Sequence, residues 1–268
     1  MGKTDNKVKE IMTETIKEVY EDGAKETIKE TSKVISLIPR TIHAILLKLE
    51  KWILNREYSL KMTQKMLEYK LAKYDPSQVE DPEPYVAVPT INALSYTYAS
   101  EDLLDLYANL LASSMIKDKK WRVHPSFVEI IKQLSPDEAR ILKELSKNDG
   151  ENEFPIIRLF MEKKDENERF LRVNNYTNIF DSVCEKPNNI SIYLDNLVRL
   201  QLIEIFESEA VSGYDYSPIL KSDYIEEFKN KTTLYFGYSW IVHQYMFKVT
   251  DFGLDFISIC VSEENNSH

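Results

Sequence analysis

Histidine and cysteine, the side chains most used for nucleophilic and metal chemistry, are few and widely spaced. Histidine occurs at His43, His124, His243 and His268, and cysteine at Cys184 and Cys260. A metal centre needs three or four such ligands at short spacings, as in the His-Glu-x-x-His helix of metalloproteases, and no such spacing occurs. No metal site is predicted. The glycines, at 2, 23, 150, 213, 237 and 253, stand too far apart for a phosphate-cradling loop or a dinucleotide fingerprint, so no cofactor is expected. A Gly-x-Ser-x-Gly elbow is also missing. What remains for catalysis is a site gathered by folding, with Cys184, His243 and an acid as nucleophile and base. A buried cysteine is more commonly a small apolar side chain, and the expectation is a protein that is not an enzyme.

Other polar groups have structural uses close at hand. His124 precedes Pro125 at a helix start, where its ring can bond local backbone. Glu138 stands three residues after Ser135, the spacing of a capping box with Pro136 at the first helical position. His43 sits among isoleucines and reads as core or interface. Lys117-Asp118-Lys119-Lys120-Trp121-Arg122 is the basic cluster that includes an aromatic; it reads as a solvated loop within reach of phosphate or lipid.

The elements that would position these groups are mostly helical. In 268 residues, 43% are hydrophobic and 29% charged, which fits a soluble globular chain of about two domains. Six glycines and ten prolines argue against a turn-rich sandwich or barrel. Two cysteines make no disulfide framework, and the start Met-Gly-Lys-Thr-Asp-Asn-Lys lacks the apolar core of a signal peptide, so a reducing cytoplasm is expected.

A lone apolar stripe runs from Val8 to Ile35 among charges of both signs, the mark of a helix that needs a partner. Ile38, Ile42, Ile45, Leu49, Trp52 and Ile53 then repeat at helical spacing, flanked by Arg40, Lys48 and Lys51. These six residues are the candidate contact surface. They suit a helix packed in a bundle and equally one lying on a membrane surface, but the uncharged stretches are too short to span a bilayer.

Prolines 76, 82, 84 and 89 mark a linker, followed by helices expected from Thr90 to Tyr98, from Ser100 to about Lys117, and from Pro125 to Leu134. Beyond Ser135 the reading is a helix ending at Gly150, a second around Tyr176, Ile179, Phe180 and Val183, and a third from Asn189. Short strands Ile203-Glu204-Ile205 and Tyr245–Val249 follow, then a last helix capped by Thr250 with Phe252, Phe256, Ile259 and Cys260 inward. The predicted class is mainly α: long N-terminal amphipathic helices (1–74), a proline-rich linker with a compact helical domain (75–134), and a winged-helix-like α+β domain (135–268).

Charge separates these parts. Residues 1–74 carry a net +4 and residues 75–134 a net −4, while residues 135–268 hold 14 Lys+Arg against 24 Asp+Glu, a net −10. An acidic field repels phosphate, and the candidate recognition helix Ile190–Leu202 offers one cation, Arg199. A winged-helix transcription regulator is therefore the alternative reading, and nucleic acid is not the expected partner. Gln201 stands where glycine usually relieves a left-handed turn. Tyr214, Tyr216, Tyr224, Tyr235, Tyr238 and Tyr245 suit a contact surface or a core edge.

Three segments carry a family resemblance. Glu83-Pro84-Tyr85 with Val88-Pro89, the run Tyr107 to Met115, and above all His124-Pro125-Ser126-Phe127-Val128-Glu129-Ile130-Ile131 continuing to Ala139, resemble the bacterial abortive-infection alpha family. Leu37-Ile38-Pro39-Arg40 and Leu49 to Ile53 are similar to its N-terminal part. The resemblance implies a role in defence against phage, in which an infected cell stops growing or dies; it brings no catalytic residues. The combined expectation is a non-enzymatic defence protein acting through homo-oligomers, another defence protein or peripheral contact with the inner membrane.

Overall fold

The computed structural model describes residues 65–94, 97, 100–147, 152–163, 168–232, 234–235 and 237–261. The N-terminal stripes, with Ile38, Ile42, Ile45, Leu49, Trp52 and Ile53, lie outside these residues. The chain divides into two compact units, one holding the residues up to Pro136 together with Ser258 onward, the other Asp137–Ile257.

The first unit is helical. Residues 65–71 (α1) are followed by a 3-10 turn, Pro76–Gln78, whose Asp75 cap accepts the Ser77 N–H at 2.8 Å while Gln78 reaches back to the Asp75 N–H. Then come α2 (Pro84–Leu94), α3 (Glu101–Ser113), α4 (Lys117–Lys120) and α5 (Ser126–Lys132). Helix α2 runs through Pro89, where the expected helix began only at Thr90. The missing N–H costs one hydrogen bond, offset by burying Val86, Ala87, Thr90, Ile91, Ala93 and Leu94.

Helix α3 is the centre of this unit, burying every residue from Leu106 to Ser113. Its two polar members have partners: Asn109 Nδ2 donates to the Cys260 carbonyl and Ser113 Oγ to the Ile259 carbonyl, each at 3.0 Å. Those carbonyls belong to a π-helical turn, Ile257–Val261, whose end groups would otherwise be orphaned in the core.

The second unit opens with α6 (Pro136–Leu145), then β1 (Phe154–Lys163) and β2 (Glu168–Tyr176). A 3-10 turn, Pro187–Asn189, leads into α7 (Ile190–Arg199), followed by β3 (Ile203–Phe206), α8 (Ser217–Leu220), α9 (Asp223–Lys231), β4 (Ser239–Val249) and α10 (Asp251–Phe256). The strands form one antiparallel sheet in the order β2-β1-β4-β3. Phe154 pairs with Phe247 and their rings stack at 5.1 Å, while Glu162 pairs with Ser239 at the far end.

This sheet overturns the mainly α, winged-helix-like class: about half of the described residues are helical, and a four-stranded sheet with strands of ten and eleven residues at its centre organises the second unit. The expected strand pair is present, Ile203 opposite Val249 and Ile205 opposite Phe247, but it is one end of a larger structure. Strand β1 escaped notice because Pro155 sits at its second position and Ile156 and Ile157 break the alternation. Strand β2 escaped because its first half, Glu168 to Arg172, is exposed and sets Phe170 and Leu171 side by side between charges, without alternation. The helix expected around Ile179 and Val183 is instead a series of turns after the end of β2. Phe252 is exposed, while Phe256, Ile259 and Cys260 are buried as expected.

Helix α7 ends in a left-handed turn. The Leu202 N–H returns to the Leu197 carbonyl at 3.0 Å and the Gln201 N–H to the Val198 carbonyl at 2.9 Å, with Gln201 at φ +61°. Thr250 Oγ1 then donates to the Gln201 carbonyl at 2.6 Å and accepts the Gly253 N–H at 2.9 Å, capping α10. A Cβ on Gly253 would stand 2.1 Å from the Leu202 carbonyl oxygen, so the close approach requires glycine.

Asp137 ties α6 to the turn before α7. Its carboxylate accepts the Glu185 N–H at 2.8 Å, the Lys186 N–H at 3.0 Å, the Tyr193 hydroxyl at 2.8 Å and Arg140 Nη1 at 2.7 Å. Burial pushes its pKa up, but these donors outweigh it and hold the carboxyl below the usual range.

Three outcomes follow for thermal and acid unfolding followed by circular dichroism. Gln201→Gly stabilises by about 1 kcal/mol by relieving the positive φ, whereas Gly253→Ala destabilises by about 3 kcal/mol through overpacking against backbone. Asp137→Asn destabilises by about 2–3 kcal/mol, since the amide places donors against donors. Because the folded pKa is lowered, the contribution of Asp137 is complete above about pH 4 and is lost as pH falls below it, a loss that the asparagine variant does not show.

Candidate functional site

The start of β1 and the loop between β3 and α8 enclose a cleft of about 840 Å³, within the usual size of a ligand pocket. Phe154, Pro155, Ile179, Phe180 and Tyr214 give it apolar walls, and Glu144, Asn152, Glu153, Ser212 and Lys248 its polar groups.

Each wall is held by an identifiable interaction. Asn152 acts as a one-residue extension of the sheet, its Nδ2 donating to the Val249 carbonyl at 2.9 Å and its Oδ1 accepting the Val249 N–H at 2.8 Å. Lys248 pairs with Glu153 at 2.9 Å and lies 5.3 Å from the centre of the Phe206 ring. Glu153 is the main cause that raises the Lys248 pKa above the ordinary lysine value.

The loop is fixed by Tyr216, which is buried: its hydroxyl donates to the Tyr245 carbonyl at 2.8 Å and accepts the Val211 N–H at 3.0 Å. Tyr214 packs edge-on against Tyr216 at 5.1 Å, and Gly213 supplies the positive φ of +71° that turns the loop. Burial, then the Asp215 carboxylate, raises the Tyr214 pKa. Neither histidine nor cysteine lines the cleft. With Glu153 paired to Lys248, the lining offers an aromatic and aliphatic surface beside polar groups, which suits an apolar group carrying hydrogen-bonding atoms.

The residues singled out in the sequence lie elsewhere. His124 Nδ1 accepts the Ser126 N–H at 3.1 Å and pairs with Ser126 Oγ at 2.6 Å, the local backbone role expected of it. Glu138 is buried and accepts Asn196 Nδ2 at 2.7 Å. His243 Nδ1 pairs with the Tyr245 hydroxyl at 2.9 Å, and its ring lies 5.0 Å from Phe160. The charges acting on the Cys184 thiol are Asp137, Arg140 and Asp181; burial first and then Asp137 push its pKa up to about 12, where the nucleophilic thiolate is scarce. Cys260 is wholly buried and its thiol is likewise pushed up. His43 and His268 lie outside the described residues. Among the described residues no cluster of three His, Cys, Asp or Glu side chains is placed to hold a metal ion.

The basic cluster is engaged with neighbouring backbone and acids. Lys117 Nζ donates to the Ser77 carbonyl at 2.6 Å, Lys120 Nζ to the Asp81 carbonyl at 2.9 Å, and Lys120 also pairs with Glu80 and Glu83 at 3.1 Å. Arg122 Nη2 donates to Ser258 Oγ at 2.9 Å. Trp121, between them, is 79% exposed. On α7 the outward residues are Ile192, Asp195 and Arg199, and Arg199 bonds Asn196 Oδ1.

Sequence reading missed Asn152 and the cleft itself. The clustered tyrosines, Tyr214 and Tyr216 among them, were the one signal available, and the structure divides them into a lining ring and a buried strut.

Among the described residues no helix is long and apolar enough to cross a membrane. No curated protein and no solved structure gives a significant match to the chain. Residues 55–260, most of the chain and including the cleft, match the family described as abortive infection alpha. With that match joined to the helical first unit and the sheet-centred second, the chain belongs to the abortive infection alpha family.

Proposed function

We propose that this chain serves in the abortive-infection defence of bacteria against phage as a binding protein, without a reaction of its own. Its N-terminal stripe, Ile38, Ile42, Ile45, Leu49, Trp52 and Ile53, is covered by other copies, by another defence protein or by the inner membrane surface. The second unit holds a partner segment in its cleft and so senses or restrains that assembly. The protein works in the cytoplasm, at the membrane edge where lipid covers the stripe.

The family match over residues 55–260 is the observation that carries the defence role. The binding reading is supported by the chemistry of the cleft, whose groups suit recognition, and by a Cys184 thiol held near a pKa of about 12. The charge of residues 135–268, 14 Lys+Arg against 24 Asp+Glu, argues for a protein partner over nucleic acid.

The test is made on the full chain in bacteria challenged with phage. Replacing Ile42, Ile45 and Leu49 together by Asp removes plaque suppression, and the purified variant changes in solution mass or loses vesicle binding. Cys184→Ser and His243→Ala leave suppression intact. Mass, vesicle binding and suppression that all survive the triple replacement overturn the proposal, as does loss of suppression in a folded Cys184→Ser or His243→Ala protein.

A further inference from the structure

Among the described residues strand β2 is one edge of the sheet, β3 being the other, and its residues from Glu168 to Arg172 are all exposed. Edge strands are normally blunted by charge, proline or covering chain, because their unpaired N–H and C=O groups template further pairing. Here Phe170 and Leu171 stand in mid-edge at 47% and 48% exposure. On the Phe170 side the apolar surface continues: Tyr238 lies 6.0 Å from the Phe170 ring and Tyr235, 63% exposed, lies 6.0 Å from Tyr238.

We infer that this edge pairs with the same edge of a second copy, in antiparallel fashion about a two-fold axis through Phe170. Symmetry and hydrogen bonding restrict the choice. Along a strand, successive residues direct their N–H and C=O groups to opposite edges, so two like edges pair only when a residue faces its own copy. Centring on Leu171 sets Phe170 against the partner's Arg172 and Arg169 against the partner's Val173, which leaves Glu168 without a cation. Centring on Phe170 stacks the two phenyl rings and sets Glu168 opposite the partner's Arg172 twice, once on each side of the axis. Opposite charges facing across an antiparallel pair stabilise it, and aromatic pairs add to this.

The register between Leu159 and Phe160 on β1 shifts opposite Leu171 and Val173, which places a bulge at Arg172 and ends the straight edge there. The contact is therefore short, about five residues from each copy, extended by Tyr235 and Tyr238. It is a self-assembly surface in the second unit, independent of the stripe around Trp52.

The test uses the full chain in a Cys184→Ser background, with non-reducing electrophoresis after mild oxidation. Phe170→Cys places two thiols face to face across the axis, at a separation that a disulfide spans, and yields a reducible dimer. Arg169→Cys, which faces the partner's Leu171, yields little. Separately, Glu168→Arg and Arg172→Glu each halve the solution mass by setting like charges opposite one another, and the double variant Glu168→Arg/Arg172→Glu restores it. A Phe170→Cys protein that cross-links no better than Arg169→Cys overturns the inference. So does a pair of single variants that keep the parent mass, or a folded double variant that fails to regain it. The stripe at Ile42, Ile45 and Leu49 is intact in every one of these proteins, so failure here leaves the proposed N-terminal assembly standing, and failure there leaves this edge contact standing.

Discussion

The second unit depends on a buried carboxylate. Asp137 sits in the first turn of α6 and reaches across to the Glu185 and Lys186 N–H groups and the Tyr193 hydroxyl, joining the start of one helix to the turn that launches another. A charge removed from water is tolerated only when its lone pairs are filled, and here four donors fill them. With α7 so placed, Tyr193, Leu194 and Leu197 are buried, and the Schellman turn at Gln201 directs the chain into β3. The positive φ at Gln201 persists because the surrounding packing determines it, and the close approach of backbone at Gly253 is open to glycine alone.

The sheet is built from pieces far apart in sequence. β1 lies against β4, some eighty positions later, and β3 against the end of β4. Such pairing is slow to form because loop closure precedes any reward, and it leaves a short β3 at one edge and a longer β2 at the other. The cleft is a consequence of this arrangement. Asn152 fastens the entry of β1 to the exit of β4, Tyr216 fastens the intervening loop to Tyr245, and the space left between them is lined by what those segments carry.

His124, His243 and Cys184 each have partners close at hand. His124 orders a helix start, His243 joins a cross-strand aromatic set with Tyr245 and Phe160, and Cys184 is half-buried beside Asp137. The Lys117–Arg122 cluster, basic in sequence, is partly neutralised by Glu80 and Glu83 and anchors the preceding loop through two backbone carbonyls.

By itself the sequence determined the elements whose signals are local. Ser135-Pro136 marks the start of α6, Thr250 caps α10, Asn189 precedes α7, and the run from His124 to Ala139 carries much of the family resemblance. Each depends on residues within a few positions of one another, so chain order alone carries the information. Only the tertiary structure decided that Asp137 would be a hub and not simply a helix-start acid, that Pro89 would lie inside a helix, and that Ile156 and Ile157 belong to a strand. It also decided that Asn152 would complete a sheet. Those outcomes turn on burial and on partners as much as about a hundred residues away, and the free energy that selects them does not exist until the distant segments meet.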